Sequence, residues 1–159
     1  MARANKAQAL VGNADYGHQM RRYLTFRISR IQAKLNAQAT RILREASGTT
    51  LTQWRVIALL ATSGPTRLSD IARETVLDKG LLSRNLKVLI KNGVVNAQRD
   101  TGDHRAQILS LTPKGQAIFD RTLPVTQARQ QKLQEDLSDD ELAVFHRVLD
   151  KLEISVQKK

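Results

Sequence analysis

The chain of 159 residues contains no cysteine, which excludes disulfide bonds, thiolate metal sites and thiol-based redox sensing. Aromatic residues make up only 4%, so a ring platform for stacking single-stranded bases is poorly supplied. The three histidines lie far apart in sequence, and neither a metal site nor another cofactor is predicted. No apolar run approaches the roughly 20 residues that span a bilayer, and no signal-peptide core precedes the first helix. We therefore expect a soluble cytoplasmic protein with no membrane partner.

Signatures of catalysis are also missing. The sequence shows no Ser-His-Asp arrangement, phosphate-cradling glycine loop or metal-binding motif. The acidic run Asp139-Asp140-Glu141 is better explained as favourable charge in the first turn of a helix. The sequence therefore predicts that the protein is not an enzyme.

What the chain does have is positive charge, and that charge is unevenly distributed. Lys and Arg total 26 against 15 Asp and Glu, for a net charge of +11. Residues 1–109 hold 18 basic and 7 acidic residues, a net of +11, whereas residues 110–159 hold 8 of each. The first part therefore favours an anionic partner such as nucleic acid, and the second part has a different task.

Hydrophobic spacing predicts a mainly helical chain after a mobile arm at residues 1–19. A long amphipathic helix is expected from Met20 to about Gly48, and a second helix follows with Thr52 as its N-cap. The apolar positions of these two helices are Leu24, Ile28, Ile31, Leu35 and Ile42, followed by Trp54, Ile57, Leu60 and Ala61.

Two shorter helices are predicted next. After an extended link at residues 66–68, Ser69 is expected to cap a helix over residues 70–75. Asp78 is expected to cap another over residues 79–91, which the Asn92-Gly93 pair ends. The inward residues predicted for this helix are Leu82, Leu86, Leu89 and Ile90.

The pattern then changes to two short strands, residues 94–99 and 107–111, joined by a polar hairpin loop. Thr112 and Pro113 open a helix that runs to about Glu135, and Pro124 is expected to kink or interrupt it. Ser138 and Glu141 form a capping box for the last helix. Its coiled-coil-like seam consists of Leu142, Phe145, Leu149, Leu152 and Val156.

Short helices followed by a basic hairpin are typical of a winged helix-turn-helix. The recognition helix of such a unit fits the major groove, and the hairpin can lay an arginine into the minor groove. Six segments stand in this order along the chain: Leu51-Thr52-Gln53-Trp54-Arg55-Val56-Ile57, Leu68-Ser69-Asp70-Ile71-Ala72, Asp78-Lys79-Gly80-Leu81-Leu82-Ser83-Arg84, Leu89-Ile90-Lys91-Asn92-Gly93-Val94-Val95, Asp103-His104-Arg105 and Leu111-Thr112-Pro113-Lys114-Gly115. With these segments the sequence resembles the multiple-antibiotic-resistance regulator (MarR) family of winged-helix transcription factors.

The resemblance implies a division of the chain into three parts after the arm. Residues 20–48 are the first helix, part of the dimerisation region, residues 51–112 the DNA-binding winged helix, and residues 113–159 the C-terminal dimerisation helices. Gly80 departs from the family, which usually has a small hydroxyl or similar residue there. In family members the terminal helices form a homodimer, so the seam is expected to pack against a second copy. The alternative is that the seam packs within one chain.

DNA-contacting roles follow for the outward side of the fourth helix. We expect Arg84 to contact guanine or phosphate and Lys87 to contact phosphate, with Ser83 beside them. Lys79 is expected near the DNA backbone at the helix start. The alternative for each is a solvated surface residue.

In the hairpin, Arg105 is expected to enter the minor groove, with Asp103 holding its guanidinium group. Arg99 is expected to support the strand end or to contact phosphate. A solvated surface charge is the alternative for these residues too, though a poorer one for Arg105, given its motif.

Family members often bind small aromatic or phenolic anions between the dimerisation and DNA-binding parts. The resemblance places such an effector pocket near Tyr23, Arg27, Trp54 and Arg55. The alternative is that Trp54 is a core anchor and the arginines are surface residues. The sequence therefore predicts a homodimeric, ligand-responsive repressor that binds a pseudo-palindromic operator in double-stranded DNA; the alternative is a non-specific architectural DNA-binding protein.

Overall fold

The computed structural model describes residues 19–75, 77–100, 102 and 107–158. Helices surround one small antiparallel sheet, which confirms the predicted mainly α fold with a β wing. In these ranges, none of the helices has the length and apolar character needed to cross a membrane. The elements are α1 (Leu24–Ser47), α2 (Leu51–Ser63), β1 (Thr66–Arg67), α3 (Leu68–Thr75), α4 (Lys79–Lys91), β2 (Val95–Arg99), β3 (Gln107–Leu111), α5 (Pro113–Gln134) and α6 (Asp139–Gln157).

The first helix starts later than predicted. Tyr23 has an extended backbone, so α1 begins at Leu24 rather than near Met20. Its C-terminus is as predicted, because Gly48 adopts the left-handed conformation with φ 70° and its N–H bonds to the Arg44 carbonyl oxygen.

The predicted cap of α2 was wrong by two residues. Thr50, not Thr52, is the N-cap: its hydroxyl oxygen accepts from the Gln53 N–H at 3.2 Å. The Gln53 side chain accepts in return from the Thr50 N–H at 3.0 Å, which completes a capping box. Thr52 lies inside the helix.

The sheet has a third strand that the sequence prediction treated as a link. Residues of β1 pair with β3, Thr66 opposite Leu109 and Arg67 opposite Ile108, and the strand order is β1-β3-β2. A strand of two residues is too short to show a periodic pattern in the sequence. Its partner β3 is far away in the chain, so no local signal predicts the pairing either. Strand β3 has the predicted bounds, whereas β2 begins at Val95 instead of Val94.

Helix α3 begins at Leu68, directly after β1. Ser69 therefore lies within the helix and is not the cap that was predicted. The cap of α4 is confirmed, since an Asp78 carboxylate oxygen accepts from the Leu81 N–H at 2.8 Å. Gly93, with φ 65°, ends α4 in the left-handed conformation.

Helix α5 runs through Pro124, so of the predicted kink or interruption, the interruption does not occur. Proline lacks the N–H that would bond one turn back, which usually disturbs a helix. Hydroxyl groups on both sides of it bond to the helix backbone, Thr122 to the Ile118 oxygen at 2.7 Å and Thr126 to the Leu123 oxygen at 2.9 Å.

The core lies between α2, α3, α4 and the sheet. Ile90 was predicted to face inward and is instead 37% exposed. Ala61 was also predicted inward and is only half-buried, because it lies near the end of α2. The buried core cluster consists of Leu43, Trp54, Val56, Ile57, Leu60, Ile71, Leu82, Leu86, Leu89, Val94, Val95 and Leu109.

Candidate nucleic-acid interface and ligand cavity

Helix α4 has one buried apolar face and one exposed cationic face. Leu82, Leu86 and Leu89 anchor it in the core. Arg84 and Lys87 lie on the opposite side and are exposed. Opposed faces of this kind let the helix present cations to a ligand without disturbing its packing.

The other predicted residues of this helix lie at its start and flank. Lys79, its first residue, is exposed, and Ser83 is half-buried. Asn85 fixes the helix to α2, because its side-chain oxygen accepts from the Thr50 hydroxyl at 3.3 Å. Its amide group donates to the Leu81 carbonyl oxygen at 2.9 Å. The middle of α4 is therefore held at the start of α2.

Sequence reasoning missed three residues on the outer face of α4. Leu81 is 37% exposed and Val88 is 43% exposed, and Lys91 follows on the same side. Leu81, Arg84, Val88 and Lys91 follow one another at steps of three or four residues, which puts them on one stripe of the helix. That spacing was visible in the sequence, but apolar residues on a helix are ordinarily assigned to a core. Exposed apolar groups beside cations can contact thymine methyl groups.

The hairpin has regular pairing up to Arg99, which lies opposite Gln107. Arg99 is exposed, so its side chain is available at the edge of the loop. Asp103 and Arg105, the two wing residues predicted from the sequence, lie outside the described residues.

The base of the wing carries an ion pair that the sequence did not predict. The Arg67 guanidinium group of β1 pairs with the Asp100 carboxylate, which directly follows β2. The Asp100 side chain is only 10% exposed, and that of Arg67 is 45% exposed. The other carboxylate oxygen accepts from the Gly102 N–H at 2.9 Å.

The Leu111-Thr112-Pro113-Lys114-Gly115 motif joins the end of α4 to the start of α5. The Thr112 hydroxyl donates to the Gly93 carbonyl oxygen at 2.7 Å, and the Lys114 ammonium group donates to the Asn92 carbonyl oxygen at 2.8 Å. A Cβ atom on Gly115 would lie 2.3 Å from the Val94 carbonyl oxygen. The motif is therefore a close-packed joint, and the glycine is required by space.

The predicted seam on α6 is largely open in the single chain, and α6 buries none of its residues. Phe145 is 55% exposed and Val156 is 82% exposed. Leu149 is also exposed, whereas Leu142 and Leu152 are half-buried. Three further apolar residues of α6 that the prediction omitted are exposed: Val144, Val148 and Ile154.

A cavity of about 670 Å³ lies between α1, α2, α5 and α6. Of the predicted effector-pocket residues, Trp54 and Arg55 line it, whereas Tyr23 and Arg27 are exposed and are not in its lining. Trp54 also belongs to the buried core, as the alternative to an effector site expected of it.

The cavity contains a second cation that sequence reasoning missed. Arg129 of α5 lines it and donates from Nε to the Gln38 side-chain oxygen at 3.1 Å. Its Nη2 donates to the Leu35 carbonyl oxygen, also at 3.1 Å. These partners on α1 lie more than 90 residues away in sequence, so no local pattern marked them.

Comparison with known proteins agrees with this geometry. Residues 47–106, which run from the end of α1 to the residue before β3, match the sequence profile of the MarR family. The winged-helix segment is therefore similar to the MarR family. This confirms the resemblance read from the motifs.

Two relatives show how far the similarity extends. An uncharacterized HTH-type transcriptional regulator of Staphylococcus aureus is 31% identical over 68 residues, 43% of this chain. The chain spans about half the length of this relative, 47%. The HTH-type transcriptional regulator FarR of Neisseria gonorrhoeae is 28% identical over 133 residues, which cover 82% of this chain and 90% of the relative.

Solved structures of MarR regulators share the fold at low identity. A MarR/EmrR family regulator from Acinetobacter sp. ADP1 matches with a TM-score of 0.78 and 24% identity, covering 85% of this chain and 95% of its own. A MarR mutant from E. coli complexed with operator DNA matches with a TM-score of 0.69 and 24% identity, covering 80% of this chain and 94% of its own. Bordetella bronchiseptica BpsR, whose DNA binding is regulated by 6-hydroxynicotinic acid, matches with a TM-score of 0.67 and 20% identity. The match covers 80% of this chain and 98% of BpsR.

Proposed function

We propose that this chain is a sequence-specific DNA-binding transcriptional regulator that acts as a homodimer. The observation that carries the proposal is the outer face of α4, where Arg84 and Lys87 are exposed opposite a fully anchored apolar face. A helix of this kind fits the major groove, where each base pair presents a distinct pattern of donors and acceptors. The similarity in fold to the E. coli MarR protein complexed with operator DNA supports it.

Within this proposal the residues of α4 have different tasks. Arg84 makes a paired contact to guanine or binds phosphate, and Lys87 binds phosphate. Lys79 and Ser83 contact the DNA backbone at the start of the helix. Leu81 and Val88 add apolar contacts to thymine methyl groups along the same groove. The recognition surface therefore includes apolar residues as well as charged ones.

The hairpin is proposed to reach the neighbouring minor groove. Arg105 enters the groove, Asp103 orients its guanidinium group and Arg99 contacts phosphate. Support comes from the pairing of β2 with β3, which ends at Arg99 opposite Gln107. An alanine at position 105 is expected to weaken operator binding without changing the fold.

The homodimer is proposed to form through α6 together with α1. Helix α6 buries none of its own residues in one chain, although it carries the apolar seam. Exposed apolar surface of this extent is typical of an interface. Two-fold symmetry would place the recognition helices in successive major grooves, about 34–36 Å apart, and would select a pseudo-palindromic operator.

The cavity is proposed to bind a small aromatic acid that controls DNA binding. Its volume of about 670 Å³ lies within the usual range of ligand pockets, about 300–1,000 Å³. Its lining is mainly apolar, and Arg55 and Arg129 supply positive charge for a carboxylate. A ligand with higher affinity for a dimer conformation that cannot bind DNA would release the operator, as expected of a repressor. The regulation of BpsR by an aromatic acid supports this part.

Selection from a random-sequence duplex pool tests the proposed function. The protein should enrich one pseudo-palindromic site and bind it at least about 1,000-fold more tightly than a scrambled duplex at the same salt concentration. Equal affinity for both duplexes would instead identify a non-specific architectural protein, and no binding to either would refute a DNA-directed function.

A further inference from the structure

The Asp100 carboxylate occupies an unusual place in the fold. It is one of the few polar side chains buried among the described residues. One oxygen pairs with Arg67 and the other accepts from the Gly102 N–H at 2.9 Å. A single carboxylate therefore contacts both Arg67 of β1 and Gly102, which follows β2.

The strand register shows how far this pair reaches. Arg67 lies opposite Ile108 of β3, and Ile108 lies opposite Gln98 of β2. Asp100 is two residues beyond Gln98, so the ion pair links the first outer strand, β1, to the residue that follows the other outer strand, β2. Arg67 is also followed directly by α3, so the pair connects the loop to the helix-turn-helix as well as to the hairpin.

We propose that the Arg67–Asp100 ion pair positions the wing loop for its DNA contact, an inference that rests on the proposed DNA-binding function. A polar loop of seven residues loses conformational freedom when it enters a groove, and that loss weakens binding. The buried Asp100 carboxylate, held by Arg67, fixes the end of β2 and the Gly102 N–H before DNA arrives. Arg67 is thus a positioning residue that acts through Asp100 and touches no base.

A merely structural ion pair would behave differently. Its loss would lower the stability of the whole winged helix and weaken contacts in both grooves equally. A positioning pair affects the minor groove selectively, because α4 is held independently by its buried leucines and by the Thr50–Asn85 contact. The two roles are therefore separated by groove-specific footprinting.

The test compares Arg67→Ala with wild type on the duplex that the wild-type protein selects. Hydroxyl-radical cleavage reports the minor groove, and methylation of guanine N7 reports the major groove. We expect Arg67→Ala to lose minor-groove protection and to bind about tenfold more weakly, with guanine protection retained at saturation. Arg67→Lys, which keeps the charge, should restore part of the minor-groove protection.

Arg73→Ala is the matched control. It removes another arginine from the same unit, one that pairs with Asp70 at 2.9 Å on α3 and is 76% exposed. It should leave both footprints unchanged. If Arg67→Ala fails to fold by circular dichroism, Asp100→Asn replaces it. An asparagine oxygen can still accept from Gly102 while the ion pair is lost.

The outcomes are distinct. Unchanged minor-groove protection in the variant, or an equal loss in both grooves, overturns the positioning role and leaves the proposed function intact. Failure of the wild-type protein to select any duplex refutes the proposed function itself, and the positioning role with it.

Discussion

The indole ring of Trp54 stacks on the ring of Phe119, with centroids 5.8 Å apart and planes inclined by 14°. The pair joins α2 of the winged helix to α5. Trp54 also lines the cavity and is the only tryptophan in the chain. Its fluorescence therefore reports on the cavity without a label.

The first prediction uses this property. Benzoate, a small aromatic acid, should change the emission of Trp54 saturably, because its ring would lie near the indole and its carboxylate near Arg55 or Arg129. Arg129→Gln should weaken the response, whereas Arg147→Gln, on exposed α6 surface outside the cavity, should not. A response that does not saturate, or that is equal in all three proteins, would contradict an aromatic-acid site.

The second prediction separates base contact from phosphate contact on α4. Arg84→Ala should cost about 1–3 kcal/mol of binding free energy and relax base preference at one position per half-site. Lys87→Ala should weaken binding to all sequences alike and reduce the salt-dependence slope by about 1. Lys151→Ala removes an exposed charge from α6 and serves as the control. Fluorescence anisotropy over a salt series measures all three. Identical behaviour of the Arg84 and Lys87 variants would contradict the assigned division of roles.

The third prediction concerns the joint between α4 and α5. Gly115→Ala should lower the free energy of unfolding by about 2 kcal/mol or more, because the added Cβ would meet the Val94 carbonyl oxygen at 2.3 Å. Gly80→Ala is the matched control, since its Cβ would meet only the ends of the Asp78 and Arg84 side chains, at 3.2 and 3.8 Å. Urea unfolding compares them. Equal stability of the two variants would show that the joint can relax.

The fourth prediction concerns the α6 seam. Phe145→Asp should convert the dimer into a monomer, because a charge at this 55% exposed apolar position would be buried in the interface. Arg147→Asp introduces the same group on the opposite side of the helix and should leave the dimer intact. Light scattering measures the mass. A wild-type monomer at micromolar concentration would contradict the dimer.

The fifth prediction concerns the cap of α6. The Glu141 carboxylate accepts hydrogen bonds from the Ser138 backbone N–H and from the Ser138 hydroxyl. These bonds, the backbone one most strongly, lower the pKa of Glu141 below its usual 4.5. Because the folded pKa is the lower one, the stabilisation is present above pH 4.5 and disappears as the pH falls through the folded pKa. Titration by NMR should show this low pKa, and Ser138→Ala should return it toward 4.5. A pKa of 4.5 in both proteins would contradict the capping box in solution.

Features set by local sequence were predicted well. Asp78, Thr112 and Ser138 each cap a helix as their spacing indicated, because a cap involves only the next three residues. The cap of α2 was misplaced because Thr50 and Thr52 are the same residue type two positions apart, and only the bond to Gln53 distinguishes them.

Part of the candidate site could be found in the same way. Arg84 and Lys87 were predicted on the outer face of α4, because helical periodicity separates them from the buried leucines. Leu81 and Val88 were missed because apolar residues on a helix normally indicate a core, and only the packed structure shows which of them remain exposed.

The sequence by itself determined the order of the elements, the separation of the basic part from the neutral part, and the cationic face of α4. These properties depend on neighbouring residues and on composition. Only the tertiary structure decided that Arg67 meets Asp100, that Arg129 bonds to α1, and that Trp54 stacks on Phe119. Each of these contacts joins residues that are far apart in the chain. Only the folded chain brings them together, so no local sequence pattern predicts them.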